Sequence, residues 1–168
     1  FGGLAGCRTV IVADGYDSSA AEGQARWKKG KISDEAAARY EMHKRCVRAA
    51  CEAGALPFDH AELMEQFEHR GFALGVRRAV MAVSSEFVLV VQHDRPLCRP
   101  APLGALLTAM DERPELSHVA LPTGRTQPAT YEHLVASKYA LKLGECAVRS
   151  CGLRFLPLLQ FYDSTHLS

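Results

Sequence analysis

Two apolar segments of this chain each end on an aspartate, and these two carboxylates are the strongest candidates for chemistry. Residues 9–13 run directly into Asp14, and residues 87–91 are followed by three polar residues, the last of which is Asp94. Segments in which nearly every position is apolar are typical of strands covered on both faces, as in a parallel sheet between helices. Open parallel sheets bind ligands outside the carboxyl ends of their strands. If both strands lie in one sheet, the two carboxylates meet in one crevice, where they suit ribose hydroxyls, a divalent cation or both.

Each of these positions also has a plainer structural interpretation. Asp14 and Gly15 form a common turn dipeptide, although Gly15 also permits a sharp turn and close approach of a ligand to the backbone. His93 alternates away from Asp94 if the strand continues, which favours a structural histidine over a ligand-binding one. Asp94 follows five apolar residues at the place where sheet proteins put functional side chains, and a functional role is therefore favoured there.

Asp94 is the candidate metal ligand. Magnesium and manganese prefer oxygen ligands and are often held by one or two carboxylates together with substrate phosphates. The arginine pair Arg77 and Arg78 suits bidentate contact with a diphosphate, although single surface arginines are common. Near the end of the chain, Asp163 and His166 belong to a dense polar cluster that either borders an acceptor site or forms an ordinary polar turn.

The elements that must position these residues follow from periodicity and from capping signals. Ser33 is a typical N-cap, and Gly54 is a typical helix stop. A strand, helical segments and a further strand in succession predict a crossover of the βαβ type. Helices are predicted over residues 34–53, 73–83, 103–110 and 132–143, strands over residues 9–13, 87–91 and 117–121, and a strand or loop over residues 153–162.

A polar segment, residues 16–31, follows the first aspartate without any hydrophobic periodicity. Its content of serine, glycine and lysine predicts a long loop that crosses the strand ends. Long loops in compact domains are usually functional or disordered. We expect this loop to be the most mobile internal segment, with Lys28, Lys29 and Lys31 able to approach an anionic ligand.

Composition describes an ordinary globular chain and excludes several classes of protein. The 168 residues, 48% of them apolar, suffice for a single domain over residues 1–168. A formal net charge of +1 gives no electrostatic case for a nucleic-acid partner, and no run of about 18 apolar residues predicts a membrane segment. The six cysteines lack metal-binding spacing, which favours free buried thiols in a reducing compartment. Because the chain begins at Phe1 without methionine, we interpret it as an excerpt of a longer protein.

Residues 71–94 resemble the centre of family 2 glycosyltransferases of the GT-A fold. In that family a glycine-led helix carrying an Arg-Asn pair precedes a strand that opens with a small residue and a glutamate and ends in an Asp-x-Asp motif. The Val-Ala-Asp-Gly of residues 12–15 is similar to the family's second strand, which ends in Asp-Asp-Gly. The order of the two blocks agrees, and the resemblance covers about residues 7–122.

The resemblance implies a Rossmann-like α/β fold, a three-layer GT-A sandwich with a mainly parallel sheet that is incomplete at the N-terminus. It implies transfer of a sugar from a nucleotide-sugar donor to a hydroxyl acceptor of unknown identity, with a divalent cation, Mn or Mg, as cofactor. Asp14 and Gly15 would then lie toward the nucleoside, and Arg77 and Arg78 toward the diphosphate. Asp94 would bind the cation that neutralises the leaving group.

The chain departs from the family pattern at several positions. Gln92 replaces the first carboxylate of the Asp-x-Asp motif, and Ala13 replaces the first aspartate of Asp-Asp-Gly. The Arg-Asn pair is represented only by the two arginines at 77 and 78. The first family strand would lie before Phe1, and the catalytic base would lie near or beyond the C-terminal end, where Asp163 and His166 are the candidate catalytic residues.

Three other functions are compatible with parts of the pattern. A nucleotidyl- or phosphoryl-transfer enzyme on a similar sheet would use the same two aspartates. A degenerate domain that binds a nucleotide or a glycan without turnover is favoured by Gln92. A dehalogenase-like phosphatase is disfavoured, because its nucleophilic aspartate is followed two positions later by a second one, whereas Asp14 is followed by Gly15 and Tyr16.

Overall fold

The computed structural model describes residues 6–19, 26, 29–94, 100–122, 127–158 and the backbone of 165–167. Within these ranges the chain is a mixed α/β protein with four α-helices, as the sequence predicts. None of the helices there has the length and apolar character that crossing a membrane requires. The chain divides into two compact units, an N-terminal unit of residues 2–84 and a C-terminal unit of residues 85–168.

The N-terminal unit is a βαβα arrangement. Its two strands are parallel and in register from Thr9 opposite Ala61 to Ala13 opposite Glu65. The helix between them makes the crossover that two parallel strands require. The elements are β1 (Thr9–Ala13), α1 (Asp34–Ala53), β2 (Ala61–Glu65) and α2 (Gly71–Met81).

Helix α1 has the bounds that the sequence predicts, and both predicted caps are present. The Ser33 hydroxyl accepts the backbone N–H of Ala36 at 3.3 Å, and Gly54 ends the helix with a φ of 60°. The sequence pattern predicts an apolar-leaning stripe on this helix, formed by Ala36, Tyr40, His43, Val47 and Ala50. The inward face differs from it at one position, because His43 is exposed while Lys44 is buried.

Strand β2 is absent from the sequence prediction, which joined the first strand directly to residues 87–91. Residues 61–65 include alanine, leucine, methionine and two glutamates, all of them good helix formers, so the local sequence does not indicate a strand. Pairing with β1 overrides that preference. Within the described residues β1 is hydrogen-bonded to β2, and the strand after α2 belongs to a different sheet.

The C-terminal unit contains a three-stranded sheet and a separate hairpin. The elements are β3 (Leu89–Val90), α3 (Leu103–Glu112), β4 (Val119–Leu121), α4 (Pro128–Tyr139), a 3-10 helix (Leu143–Cys146), β5 (Val148–Ser150), β6 (Leu153–Phe155) and β7 (Thr165–Leu167). Strand β7 lies between β3 and β4 and is antiparallel to both, and β5 pairs with β6 in an antiparallel hairpin.

The directions of the strands can be compared with the mainly parallel sheet that the sequence predicts. Strands β3 and β4 run parallel to each other, but β7 separates them, so their own hydrogen bonds go to an antiparallel neighbour. In the part of the chain that the structure describes, β1 with β2 is the parallel pair, and the other three pairings are antiparallel. The mainly parallel three-layer sandwich remains a prediction.

Each unit has its own small core. In the N-terminal unit Ile32, Ala36 and Ala37 are buried beneath the partly buried ring of Tyr16. In the C-terminal unit α3 packs its inner face on β4, and Phe87 and Leu89 contribute to the same cluster. The fully enclosed members of this second core are Leu106, Met110, Val119 and Leu121.

The described cysteines are free thiols, as the sequence predicts, but they are not buried. Four of them are exposed and the fifth, Cys51, is half-buried. The expectation of buried thiols is therefore wrong for this set. The cysteines concerned are Cys7, Cys46, Cys51, Cys146 and Cys151.

Candidate functional site

A polar cleft lies at the carboxyl ends of the two parallel strands of the N-terminal unit. It has a volume of about 290 Å³. Open α/β sheets bind their ligands at this edge. The cleft lies at the strand end where the sequence predicts a site, and ligand binding there stays a prediction. The lining residues are Gly15, Tyr16, Glu41, Lys44, Glu65, Gln66 and Phe67.

Lys44 is the central charge of this cleft. Its Nζ lies 2.7 Å from a carboxylate oxygen of Glu41 and 2.8 Å from one of Glu65, and only 10% of its side chain is exposed. The ammonium also lies 5.9 Å from the ring centroid of Tyr16 and 5.4 Å from that of Tyr40, within cation–π range. The two carboxylates outnumber the cation, and Arg48, which contacts Glu65, restores the balance, so the cleft has no excess of positive charge.

Hydrogen bonds and burial fix the protonation states around Lys44. The hydroxyl of Tyr16 donates to Glu41 at 2.9 Å, and this bond raises the pKa of Tyr16. Burial raises the pKa of Tyr40, whose hydroxyl donates to the backbone carbonyl of Asp14 at 3.1 Å. The hydrogen bond from Lys44 lowers the pKa of Glu41. At neutral pH the tyrosines are neutral donors and Glu41 is charged.

Both oxygens of the Asp14 carboxylate have partners within the protein. Its Oδ1 accepts the backbone N–H of Gly15 at 3.0 Å and that of Arg70 at 2.9 Å. Its Oδ2 accepts the backbone N–H of Gly71 at 2.9 Å and lies 2.8 Å from Nδ1 of His69. Because Arg70 provides no capping side chain of its own, Asp14 caps α2 from the end of β1. Three backbone donors and the nearby imidazole thus surround a carboxylate whose side chain is 31% exposed.

Two glycines let the loop before α2 approach Asp14. A Cβ atom at position 15 would lie 2.3 Å from the backbone carbonyl carbon of Glu68. A Cβ atom at position 30 would lie 2.3 Å from the Cβ and Cγ atoms of His69, and Gly30 has a φ of 68°. No other residue type fits either place without displacement of the loop. The His69 ring therefore packs against the backbone of Gly30 on one side and against Asp14 on another.

Gln66, which follows β2 and lines the cleft, carries a buried amide. Its side chain is 4% exposed, and among the described residues neither amide atom has a hydrogen-bond partner. A Cβ atom at position 75 would lie 2.8 Å from the amide nitrogen, which places the amide beneath α2. Successive side chains of a strand point to opposite faces, and Glu65 points to Lys44 on α1. An ordered water is the usual partner of such a buried amide.

The two arginines predicted to meet a diphosphate lie on α2 and are exposed. Arg78 donates from its guanidinium to the backbone carbonyl of Glu65 at 3.2 Å, so it reaches the carboxyl end of β2. Arg77 is the neighbouring exposed residue of the same helix. The structure thus brings Arg78, Asp14 and Gly15 to the same edge of the N-terminal unit.

The remaining predicted residues belong to the C-terminal unit. Asp94 lies in an exposed turn after β3, which ends at Val90. His166 lies in β7, where its backbone is in register with Val90 and Ala120, and Asp163 falls outside the described residues. In the described part of the chain no three His, Cys, Asp or Glu side chains form a metal-binding group. The expected meeting of Asp94 with Asp14 stays a prediction.

The ends of the long loop are tied together. The backbone N–H of Asp17 donates to the carbonyl of Gly30 at 2.8 Å, and that of Ile32 donates to the carbonyl of Asp17 at 2.9 Å. Arg26 pairs with Lys31 through two further backbone bonds. Residues 20–25, 27 and 28 of the loop lie outside the described residues, and the expected mobility stays a prediction.

Several residues of this edge escaped the sequence analysis. His69 and Glu65 were missed because β2 was missed, and with it the second strand end. Lys44 was missed because a lysine on a helix normally predicts a solvated face. A usable signal was present in the glycine at position 71 and the histidine two residues before it, which together mark a strand-to-helix turn.

Comparisons with known proteins leave the function to be argued from geometry. No protein-family model matches the chain, and no curated protein or solved structure is significantly similar to it. The arguments below therefore depend on the described contacts and on the motif resemblance of residues 7–122.

Proposed function

We propose that the chain is a glycosyltransferase domain of GT-A type, which transfers a sugar from a nucleotide-sugar donor to a hydroxyl acceptor. The observation that carries the proposal is the polar cleft of about 290 Å³ at the carboxyl edge of the parallel β1–β2 pair. This edge is where α/β sheets bind nucleotides and related ligands. The resemblance of residues 71–94 to family 2 glycosyltransferases supports the same assignment.

The charge balance of the cleft favours the nucleoside part of the donor. Glu41 and Glu65 outweigh the charge of Lys44, so this cleft offers a diphosphate little net attraction. Tyr16, which lines the cleft, instead provides an aromatic surface and a neutral hydroxyl, which suit a ribose or a base. The proposal places the diphosphate nearer the exposed arginines of α2, where Arg78 reaches the end of β2.

The described residues can hold the expected divalent cation only together with the diphosphate of the donor. Asp94 contributes one carboxylate in an exposed turn, and the described residues contain no group of three side chains that would hold a resident metal. Magnesium usually keeps several waters and binds through one or two carboxylates together with substrate phosphates. In this proposal Asp94 contacts the cation, and the cation neutralises charge on the diphosphate leaving group.

A second candidate is a domain that binds a nucleotide or glycan without turnover. Gln92 stands where the family pattern has a carboxylate, and the Asp14 carboxylate is consumed by four internal donors. Both features reduce the number of charged groups left for catalysis. A nucleotidyltransferase has no observation in its favour beyond the shared position of the two aspartates.

A donor screen separates these functions. The protein is incubated with uridine, guanosine and thymidine diphosphate sugars in the presence of Mn²⁺ or Mg²⁺, and release of nucleoside diphosphate is measured. A glycosyltransferase gives metal-dependent release with at least one donor, whereas binding without release supports the second candidate. Consumption of nucleoside triphosphates alone would indicate nucleotidyl transfer, and neither binding nor release of any donor would contradict the proposal.

Variants at Tyr16 test whether the cleft holds the donor. Tyr16→Phe keeps the ring over Lys44 but removes the hydroxyl that donates to Glu41. We expect a rise in the KM for the donor. The matched control is Tyr139→Phe on α4 in the C-terminal unit, which should leave the KM unchanged. Equal effects of the two changes would argue against the cleft as the donor site.

A further inference from the structure

We infer that His69, rather than Asp14, is the side chain that contacts the nucleoside, by accepting a hydrogen bond through its Nε2 atom. The inference deepens the proposed function and rests on it. Asp14 then acts as a positioning residue. The two residues form an Asp–His pair at the carboxyl edge of β1 and β2, with Oδ2 and Nδ1 2.8 Å apart.

Both oxygens of Asp14 already have partners within the protein. Three backbone N–H groups and the imidazole of His69 occupy its two oxygens at 2.8–3.0 Å. A ligand hydroxyl that bound Asp14 directly would displace one of these donors. Loss of a backbone donor would leave the start of α2 uncapped, which is costly for the helix. A direct role of Asp14 toward a ligand is therefore disfavoured.

The pairing with Asp14 also determines the tautomer of His69. A carboxylate is an acceptor only, so the nitrogen that faces Asp14 must carry the proton. In a neutral imidazole the other nitrogen, Nε2, then has a lone pair and accepts hydrogen bonds. Carboxylates orient functional histidines in this way in catalytic and metal sites. The three backbone donors fix the carboxylate, and the carboxylate fixes the ring.

Part of the His69 side chain remains accessible. The His69 side chain is 29% exposed. Its Nδ1 edge faces Asp14, and its Cβ, Cγ and Cδ2 atoms lie against Gly30. The edge formed by Nε2 and Cε1 is the part of the ring that neither contact covers. His69 follows Glu68, whose backbone packs against Gly15 of the cleft lining.

An imidazole acceptor complements a hydrogen-bond donor on the ligand. In a nucleoside two sources have this chemistry, the ribose hydroxyls and a ring or amino N–H of the base. Analogues that lack one donor at a time distinguish them: the deoxyribose counterpart removes a hydroxyl, and methylation of the base nitrogen removes an N–H.

The test measures binding of nucleoside diphosphates to the whole chain by calorimetry in the presence of Mg²⁺. UDP, CDP, GDP and ADP are titrated first, and the tightest of them is then titrated into His69→Asn. The asparagine amide can still donate to Asp14, but it lacks the distal acceptor. Loss of one hydrogen bond predicts a Kd raised about tenfold. The matched control is His60→Asn, an exposed histidine of the same unit, which should leave the Kd unchanged.

A second measurement isolates the pair from the ligand. Nitrogen NMR should show His69 of the free protein protonated on Nδ1, and Asp14→Asn should change that tautomer population. If wild-type protein binds no nucleoside diphosphate, the proposed function fails together with this inference. If it binds one and His69→Asn binds equally well, the inference alone fails. An analogue whose Kd rises for wild type but not for His69→Asn identifies the donor group that His69 contacts.

Discussion

The Asp14 carboxylate accepts the backbone N–H of Gly71 at 2.9 Å, although the two residues are 57 positions apart. This bond joins the end of β1 to the start of α2 across the parallel strand pair. It also supplies the negative charge that the N-terminus of a helix favours, at a helix with no capping side chain of its own. Asp14, which the sequence predicts as a ligand contact, thus also ties β1 to the start of α2.

Replacement of Asp14 tests this tie. Asp14→Ala should lower the free energy of unfolding by about 2 kcal/mol, because it removes a cap and leaves several donors without an acceptor. Asp14→Asn should cost less, since its amide oxygen can still accept some of these bonds. Urea unfolding measures both, with Asp59→Ala, an exposed position of the same unit, expected within about 0.5 kcal/mol of wild type. A stable Asp14→Ala would show that α2 does not need this cap.

The close approach of Gly15 to the backbone of Glu68 gives a prediction that depends only on steric fit. Gly15→Ala would place its Cβ atom 2.3 Å from backbone atoms, which cannot move as a flexible side chain can. We expect destabilisation of about 2 kcal/mol or more. Gly104→Ala is the matched control, because a Cβ atom there meets nothing within 4 Å and the residue lies in α3. That control should stabilise the protein by about 0.5–1 kcal/mol.

The sequence was informative where local signals decide the structure. The bounds of α1 follow from Ser33 and Gly54, and the strand before Asp14 follows from its unbroken apolar run. Strand β2 could not be predicted, because its residues favour a helix and only the pairing with β1 makes them a strand. The role of Asp14 was equally inaccessible, since it depends on a contact with Gly71 that no local pattern records.

Strands β5 and β7 were missed for a related reason, whereas β3 lies within the predicted strand 87–91 and β6 within residues 153–162, predicted as a strand or loop. Each of β5 and β7 has three residues, too few for a period-two pattern to emerge. Their existence depends on neighbours that are distant in sequence, as in the pairing of β7 with both β3 and β4. Burial of Lys44 is another tertiary effect, because it requires Glu41 and Glu65 to arrive from two different elements.

Replacement of Lys44 should lower the free energy of unfolding more than replacement of an exposed lysine. Lys44→Met would leave Glu41 and Glu65 facing each other without the cation between them, although Arg48 still contacts Glu65. We expect a loss of about 2–3 kcal/mol of unfolding free energy. Lys138→Met on α4 is the control and should change the stability by less than about 0.5 kcal/mol. Chemical denaturation of both variants makes the comparison, and similar midpoints would contradict a structural role of the ion pairs.

The cleft should become less stable at alkaline pH. Burial raises the pKa of Tyr40 above its ordinary value of 10.0, and the hydrogen bond to Glu41 raises that of Tyr16. A raised folded-state pKa means that the stabilisation is complete below pH 10 and is lost as pH rises through the folded-state value. Absorbance of tyrosinate should show a late titration step that Tyr40→Phe removes. If Tyr40→Phe leaves the late titration step unchanged, that step belongs to another tyrosine.

The last prediction concerns Asp94 and the cation. With Gln92 in place of a second carboxylate, affinity for Mg²⁺ or Mn²⁺ should be weak without a nucleoside diphosphate and should rise when the diphosphate supplies further oxygens. Asp94→Asn should then abolish the metal-dependent part of donor binding. Its stability should stay within about 0.5 kcal/mol of wild type, because the side chain lies in an exposed turn.

Calorimetry with and without EDTA decides this case. The control is Asp111→Asn, an exposed aspartate of α3, for which binding should keep its full metal dependence. If neither EDTA nor Asp94→Asn changes donor binding, Asp94 is not a metal ligand, and the turn after β3 has no part in the site. If EDTA weakens binding equally in wild type and Asp94→Asn, the cation is held by other groups. Only a metal dependence that disappears with the Asp94 carboxylate, and persists in Asp111→Asn, supports the assigned role.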